Sequence, residues 1–235
     1  MKDRDVASCR ACERFVLQIP GWTTFVQSYW LLRADWRAEP GFFHGALHFS
    51  CLSGWEHEEA FRRELVEILT GRGRPITVEA EDGAHVLEQP GLYYSELVHQ
   101  DGEWSIHRNT STDRWLILSR RGPWFFLDAR QLDALAQGLP ARADEGGERV
   151  RLPEGLELEI DSASLAGLLD ALAIRDRYPG LLEHGSPDYQ VWGYFPKKRG
   201  LAYSVAVDLP LPRSAAEFLA GYAREYEPIR FDEPG

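Results

Sequence analysis

The sequence has only three cysteines and no long apolar run among its 235 residues. An odd number of cysteines, two of which are separated by just two residues, argues against a disulfide framework and favours a reducing cytoplasm. Residues 1–5 are mostly charged and no apolar stretch follows them. The sequence therefore predicts neither a signal peptide nor a membrane span, and a cytoplasmic location is expected.

Several catalytic motifs are also missing. The sequence contains no Gly-x-Ser-x-Gly nucleophile elbow and no Gly-Lys-Ser/Thr phosphate loop. His57-Glu58 begins like the helical motif of zinc proteases, but Phe61 stands where that motif needs its second histidine. Because catalytic groups are often far apart in a sequence, these absences leave open whether the chain is an enzyme.

Aromatic residues are plentiful, and charge is unevenly distributed. With 8 Trp, 9 Tyr and 11 Phe the chain can form a packed core, which excludes general disorder. Residues 1–75 carry ten basic and ten acidic side chains, so the formal net charge of −11 belongs entirely to residues 76–235. An acidic body repels nucleic acids and anionic membranes and attracts basic partners, although many soluble proteins are acidic without a dedicated partner.

Two short ligand pairs give the strongest chemical signal. Cys9 and Cys12 form a C-x2-C pair, and His48 and Cys51 form an H-x2-C pair. Structural Zn²⁺ prefers four thiolate and imidazole ligands in a tetrahedron, with two-residue gaps common inside each pair. We therefore predict one structural zinc site made of these four side chains.

The spacing leaves alternatives open. A gap of 35 residues separates Cys12 from His48, which is longer than in compact zinc fingers. The three cysteines could instead be unrelated buried thiols, since cysteine is among the most buried residue types. If the pairing holds but the imidazole is misassigned, His44 and His57 are the substitutes for His48.

The elements around these pairs predict a treble-clef-like order, in which a cysteine knuckle and a hairpin precede a ligand pair and a helix. Strands are expected at 15–19 and 23–32, and a helix over 54–70. Ser53 and Glu56 would form the capping box of this helix. Its apolar face would consist of Phe61, Leu65, Ile68 and Leu69.

Downstream of residue 75 the pattern alternates between hairpins and helices. Hairpins are predicted at 92–108, 115–127 and 189–207, with further strands at 76–80 and 156–160. Helices are predicted to begin after Asp128, Ser162 and Ser214; Asp128 with Gln131, and Ser214 with Glu217, have capping-box spacing.

We therefore expect an α+β protein, with an N-terminal zinc-bearing hairpin-and-helix module followed by a mixed, largely antiparallel sheet with packed helices. Three parts are expected, at 1–75, 76–140 and 150–235. Residues 141–149 resemble a linker or surface loop, and the last two parts could form one continuous domain.

Three other patterns have simpler explanations than chemistry. His99-Gln100-Asp101 could supply two iron ligands, with His184 as the third, but a hairpin turn explains Asp101 better. Glu157 and Glu159 share one face of a predicted strand, and we interpret that face as solvated. Two basic turns could grip phosphates beside aromatic rings, but turn charges also prevent strand aggregation. They comprise Arg120-Arg121 and Lys197-Lys198-Arg199, with the rings of Trp124, Trp192 and Tyr194.

Three functional hypotheses follow. The first is a non-enzymatic, acidic protein-binding protein, such as an immunity- or antitoxin-like inhibitor, that captures a partner with a basic surface. Its aromatic anchors would come from Trp192, Tyr194 and Tyr203. The second is a nucleic-acid-acting protein that uses the zinc module and the basic turns, which the acidic charge disfavours. The third is a metal-dependent or tailoring enzyme. The sequence does not indicate an oligomeric state.

Overall fold

The computed structural model describes residues 4–5, 7–26, 46–56, 58–70, 76–80, 83–87, 94–143, 148–151, 164–184, 190–195 and 200–228. Runs of strands are separated by one or more helices along the chain, as expected for an α+β protein. The helices are α1 (Phe49–Leu52), α2 (Glu58–Thr70), α3 (Ala129–Ala136), α4 (Leu165–Ala171), α5 (Leu181–His184) and α6 (Arg213–Glu225), with a 3-10 turn at Arg175–Arg177. None of these helices is long and apolar enough to cross a membrane.

Fifteen strands are described. In chain order they are β1 (Arg4–Asp5), β2 (Trp22–Thr23), β3 (Phe25–Val26), β4 (Leu47–His48), β5 (Ile76–Ala80), β6 (Gly83–Leu87), β7 (Glu96–Gln100), β8 (Trp104–Asn109), β9 (Arg114–Ser119), β10 (Trp124–Asp128), β11 (Arg142–Ala143), β12 (Glu148–Arg151), β13 (Gln190–Phe195), β14 (Gly200–Ser204) and β15 (Val207–Asp208).

The central element is a five-stranded antiparallel sheet with the order β2-β10-β9-β8-β7. A second sheet has the order β1-β12-β14-β13, in which β1 runs parallel to β12 and the other pairs are antiparallel. Three two-stranded sheets pair β3 with β4, β5 with β6, and β11 with β15. The predicted hairpins therefore form, with β7–β8, β9–β10 and β13–β14 as their arms.

The central sheet is buried on both faces at its middle strand, β9. On β9, Trp115 and Ile117 belong to one apolar cluster, whereas Leu116 and Leu118 belong to another. Neighbouring residues of a strand point to opposite faces. The continuous apolar run on β9 is therefore explained by a packing layer on each face of the sheet. One layer contains α2 and the cysteine segments, and the other contains α3, α4 and α6.

The N-terminal segment contributes strands to both large sheets. Trp22 and Thr23 pair with Phe125 and Trp124 at the edge of the central sheet, and β1 pairs with β12. Strand pairing therefore crosses the expected boundary at residue 75. The division into parts at 1–75, 76–140 and 150–235 stays a prediction.

Several predicted helix starts need correction. Helix α2 begins at Glu58, and Ser53 instead ends the short helix α1 with an extended backbone. The cap of α4 is Ser164, whose hydroxyl accepts from the Gly167 amide, two residues beyond the expected Ser162. Helix α6 begins after Pro212. Ser214 does not cap it; its hydroxyl accepts a hydrogen bond from the Trp104 indole at 2.9 Å.

The capping box of α3 is confirmed. The Asp128 side chain accepts from the Arg130 and Gln131 amides, and the Gln131 side chain accepts from the Asp128 amide at 2.8 Å. Gly138 follows the helix with a left-handed φ of 77°, a conformation that favours glycine.

The expected strand at 15–19 does not form. The amides of Leu17 and Gln18 bond the hydroxyls of Tyr178 and Tyr203 instead of a neighbouring strand. The expected strand at 23–32 is represented by β2 and β3 as far as Val26, and its remainder lies outside the described residues. The strand at 156–160, with Glu157 and Glu159, also lies outside them.

The expected apolar face of α2 is confirmed at three positions. Phe61, Leu65 and Leu69 are all buried against the central sheet. Replacing Leu65 by alanine should lower the free energy of unfolding by about 2–5 kcal/mol, because transfer energy is lost and a cavity remains. Urea denaturation of this variant and of wild type measures the difference.

The matched control is Glu59→Ala, on the exposed side of the same helix. It should change the unfolding free energy by no more than about 0.5 kcal/mol. Equal stabilities for the two variants would show that α2 does not pack through Leu65.

Candidate metal centre

The four predicted ligand residues lie together. The ligand atoms of Cys9, Cys12, His48 and Cys51 are all within 4.8 Å of one another. Cys9 and His48 are fully buried, while Cys12 and Cys51 are half-buried. Within the described residues, no other group of three or more His, Cys, Asp or Glu side chains is arranged to hold a metal ion. The described part of the chain thus contains one possible metal site.

A tight reversal of the chain presents the first pair. The Cys9 amide donates to the Arg14 carbonyl at 2.7 Å, and the Glu13 amide donates to the Cys9 carbonyl at the same distance. Glu13 completes this turn with a left-handed φ of 61°. Cys9 also forms a parallel bridge with Ala46, whose carbonyl accepts from the Arg10 amide at 2.9 Å. These bonds bring the two cysteines beside the strand that carries His48.

A strand followed at once by a helix presents the second pair. His48 is the last residue of β4, where it pairs with Phe25, and it is also the N-cap of α1. Cys51 lies inside α1, three residues later. Residues three apart on a helix share one face, so the imidazole and the thiol point toward the same place.

The interatomic distances fit a tetrahedral ion. His48 Nδ1 lies 3.5 Å from Cys12 Sγ and 3.9 Å from Cys51 Sγ. With Zn–S near 2.3 Å and Zn–N near 2.0 Å, a tetrahedron has S···N edges of about 3.6 Å. The His48 amide also donates to Cys9 Sγ at 3.4 Å. The two measured S···N distances therefore lie near the edge length of such a tetrahedron.

The three thiols do not ionise alike. Burial tends to raise the pKa of Cys9, but hydrogen bonds from His48 and from the backbone amides of Cys12 and Ala11 outweigh it and lower the pKa to about 6. Burial, and then the nearby charges of Cys9 and Cys12, raise the pKa of Cys51 to about 12. One thiolate is stabilised by the fold, and further thiolates repel it unless a cation joins them.

The backbone amides of Ala11 and Cys12 bond the Cys9 thiol, as is typical of a cysteine knuckle. Tyr178 also belongs to the site, because its hydroxyl lies 3.4 Å from His48 Nε2. The spacing of the ligand residues in the sequence did not reveal it. It is separated from His48 by 130 positions, and neither ligand pair implies it. His44 and His57, the alternative ligands, lie outside the described residues.

The other candidate metal pattern is a turn. Asp101 Oδ1 accepts from the amides of Glu103 and Trp104 at 2.8 and 2.9 Å, which uses the carboxylate to close the β7–β8 hairpin. The ring of His99 stacks on Phe218 with a centroid separation of 4.1 Å. His184 contacts Trp22 edge-on instead. The interpretation of Asp101 as a turn residue is therefore supported.

A cleft of about 1220 Å³ lies next to the candidate metal site, between α2 and the turns of the central sheet. Residues Phe49 and Ser50 of α1 contribute to its wall. Its lining includes five arginines, balanced by five acidic side chains. The arginines are Arg62, Arg63, Arg120, Arg121 and Arg177. The basic turn at Arg120-Arg121 thus opens onto a surface without net positive charge, which does not suit a phosphate backbone.

The aromatic residues proposed to grip a partner need two corrections. Tyr203 is buried, and its hydroxyl bonds the amide and carbonyl of Gln18, so it is not a surface anchor. Trp124 is also buried and cannot stack on an exposed base. The side chains of Trp192 and Tyr194, and the turn at 197–199, lie outside the described residues.

Comparison of the chain with protein-family models, with curated proteins and with solved structures finds no match. The chemistry of the site therefore has to be argued from its own residues.

Metal binding at this site should release protons and weaken as pH falls. Ligand thiols must lose their protons, so protons compete with the metal. At neutral pH the raised pKa of Cys51 leaves its thiol protonated until a metal displaces the proton. As pH falls through about 6, the Cys9 thiol also protonates, and the decline in affinity should steepen.

Calorimetric titration with Zn²⁺ in buffers of different ionisation enthalpy counts the released protons. Cys51→Ser should release fewer protons than wild type. An affinity that stays constant between about pH 8 and about pH 5.5 would contradict thiolate ligation.

Proposed function

We propose that the chain is a zinc protein in which Cys9, Cys12, His48 and Cys51 hold one structural Zn²⁺. The observation that carries this proposal is the convergence of three sulfur atoms and one imidazole nitrogen within 4.8 Å. Soft thiolates with imidazole select zinc over hard, oxygen-preferring cations such as Mg²⁺ and Ca²⁺. Unpaired thiols of this kind also fit a reducing compartment, for which we propose the cytoplasm.

A structural role is favoured over a catalytic one. Catalytic zinc keeps one coordination position for water or substrate, whereas structural zinc is closed by four protein ligands. Here four side chains are available, and two of them, Cys9 and His48, have no exposed surface. On this proposal the ion joins the turn at residues 9–14 to β4 and α1, and so supports the cover over one face of the central sheet.

Purified protein should contain about one zinc per chain. Cys51→Ser should lose stoichiometric zinc and unfold at a lower temperature, because three remaining ligands bind less tightly and the metal's binding energy contributes directly to folding. Elemental analysis and thermal melts measure the two effects.

The matched control is Ser50→Ala, an exposed position next to the ligand. It should retain both the zinc and the wild-type melting temperature. A folded wild type without metal, or a Cys51→Ser variant that melts with wild type, would refute a structural zinc site.

For the wider activity we propose non-enzymatic binding of a protein partner with a basic surface. The support is electrostatic: the formal net charge of −11 lies wholly after residue 75. An acidic field raises the encounter rate with a basic protein and repels nucleic acids. Inhibition of a basic enzyme, as an immunity or antitoxin-like protein would do, is one form of such binding. Because Tyr203 is buried, the aromatic side chains that anchor the partner would have to be others.

This proposal predicts that capture of a partner depends on the charge of residues 76–235. Neutralising three exposed acids there should slow association more than neutralising three exposed acids of the N-terminal part, because the steering field originates after residue 75. The first triple variant changes Asp133 to Asn and Glu225 and Glu227 to Gln, and the second changes Glu13, Glu56 and Glu59 to Gln.

Surface plasmon resonance against proteins recovered by pull-down measures both association rates. Association with wild type should slow as salt rises from about 0.05 to about 0.5 M. Tight binding of DNA or RNA at physiological salt, or turnover of a small molecule by the isolated chain, would contradict a protein-binding role.

A further inference from the structure

Tyr178 joins the distant C-terminal part of the chain to the candidate metal site. It follows the 3-10 turn Arg175–Arg177 and is only 3% exposed. Its ring meets the His48 ring edge-on, with a centroid separation of 5.6 Å and an interplanar angle of 88°. The phenol thus lies against the ring edge that faces away from the sulfur atoms.

The hydroxyl has four polar neighbours: the amide and carbonyl of Leu17, the Thr24 hydroxyl and the His48 ring. The Leu17 amide donates to it, the Leu17 carbonyl lies 3.3 Å away, and His48 Nε2 lies 3.4 Å away. A hydroxyl has one proton and two acceptor lone pairs. Nδ1 of His48 faces the sulfur atoms of Cys12 and Cys51, so an ion bound there would take the Nδ1 lone pair and leave the proton on Nε2. Nε2 would then donate to the Tyr178 hydroxyl, which can still accept.

The Tyr178 hydroxyl is therefore placed to stabilise one tautomer of His48. An imidazole protonated at Nε2 has its free lone pair on Nδ1, the nitrogen that lies 3.5 Å from Cys12 Sγ and 3.9 Å from Cys51 Sγ. A metal-binding histidine commonly donates its other ring N–H to a fixed acceptor, which holds the ring and increases its basicity. Tyr178 occupies the position of that acceptor.

We propose that Tyr178 is a positioning residue that holds His48 in its Nε2-protonated tautomer and aims Nδ1 at the bound ion. This inference rests on the proposed zinc site. It adds that the site is complete only when the segment around Tyr178 is docked. Zinc binding and the docking of that segment should therefore stabilise each other, because coupling between two binding events is reciprocal.

The chain provides a matched control in Tyr203. It is also buried, and its hydroxyl bonds the amide and carbonyl of Gln18, the residue after Leu17, at 3.3 and 3.4 Å. In the described part of the chain, the bond to His48 Nε2 comes from Tyr178. Tyr178→Phe and Tyr203→Phe thus each remove a hydroxyl from the same stretch of backbone, but only the first removes a partner of His48.

The test compares the zinc affinity of both variants with wild type by competition with a chelator, on preparations whose folding is checked by circular dichroism. Tyr178→Phe should raise the zinc dissociation constant by about 10- to 100-fold. Tyr203→Phe should stay close to wild type. Equal effects in the two variants would reduce Tyr178 to a structural residue and overturn the proposal.

A second measurement decides the matter even if Tyr178→Phe does not fold. Long-range ¹H–¹⁵N spectra of zinc-loaded wild type report which nitrogen of His48 carries the proton. Protonated Nε2 with metal-bound Nδ1 is expected, and the opposite tautomer would overturn the role of Tyr178. If wild type contains zinc but the tautomer is wrong, only this inference fails. If wild type binds no zinc, the proposed site fails with it.

Discussion

The energetic cost of ionising closely spaced thiols is the constraint on which the candidate metal site depends. Three sulfur atoms share a space no wider than 4.8 Å with one imidazole nitrogen. The fold favours one thiolate through amide bonds to Cys9, yet it raises the pKa of Cys51 to about 12. A divalent cation with a preference for sulfur would offset this cost and cross-link the turn at residues 9–14 to α1.

The candidate metal site lies within the apolar cluster that packs on one face of the central sheet. Cys9, Leu47 and Phe49 belong to the same apolar cluster as Leu65 and Trp124, which covers one face of the central sheet. Trp115 and Phe125 of that sheet pack on the other face with α3, α4 and α6. Tyr178 then links this second side of the molecule to His48. The proposed ion would thus strengthen a contact between segments that are distant in sequence.

The sequence predicted the features that depend on residues close together in the chain. The two ligand pairs depend on gaps of two residues, and the capping box of α3 depends on Asp128 and Gln131, so both can be read from a few neighbouring residues. Hairpins were also predictable, because turn residues such as Asp101 bond amides only two or three positions away. The apolar face of α2 followed from helical periodicity alone.

Predictions of local structure failed where a residue distant in sequence forms the hydrogen bond that the local structure would need. Ser214 looks like an N-cap, but its hydroxyl bonds the indole of Trp104, which lies 110 positions away. The amides of Leu17 and Gln18 looked available for a strand, but tyrosine hydroxyls from the C-terminal part bond them. Ser53 ends α1 instead of starting α2, since the helical turn at Phe49–Leu52 is too short to be predicted from periodicity. Tyr178 could not be found in this way, because no spacing rule relates it to His48.

X-ray absorption at the zinc edge tests the central claim most directly, because it reports the identity and distance of the ligand atoms in the protein as purified. A site formed by the three cysteines and His48 predicts three sulfur neighbours at about 2.3 Å and one nitrogen at about 2.0 Å. A coordination shell dominated by oxygen, or a folded protein without zinc at the absorption edge, would contradict it.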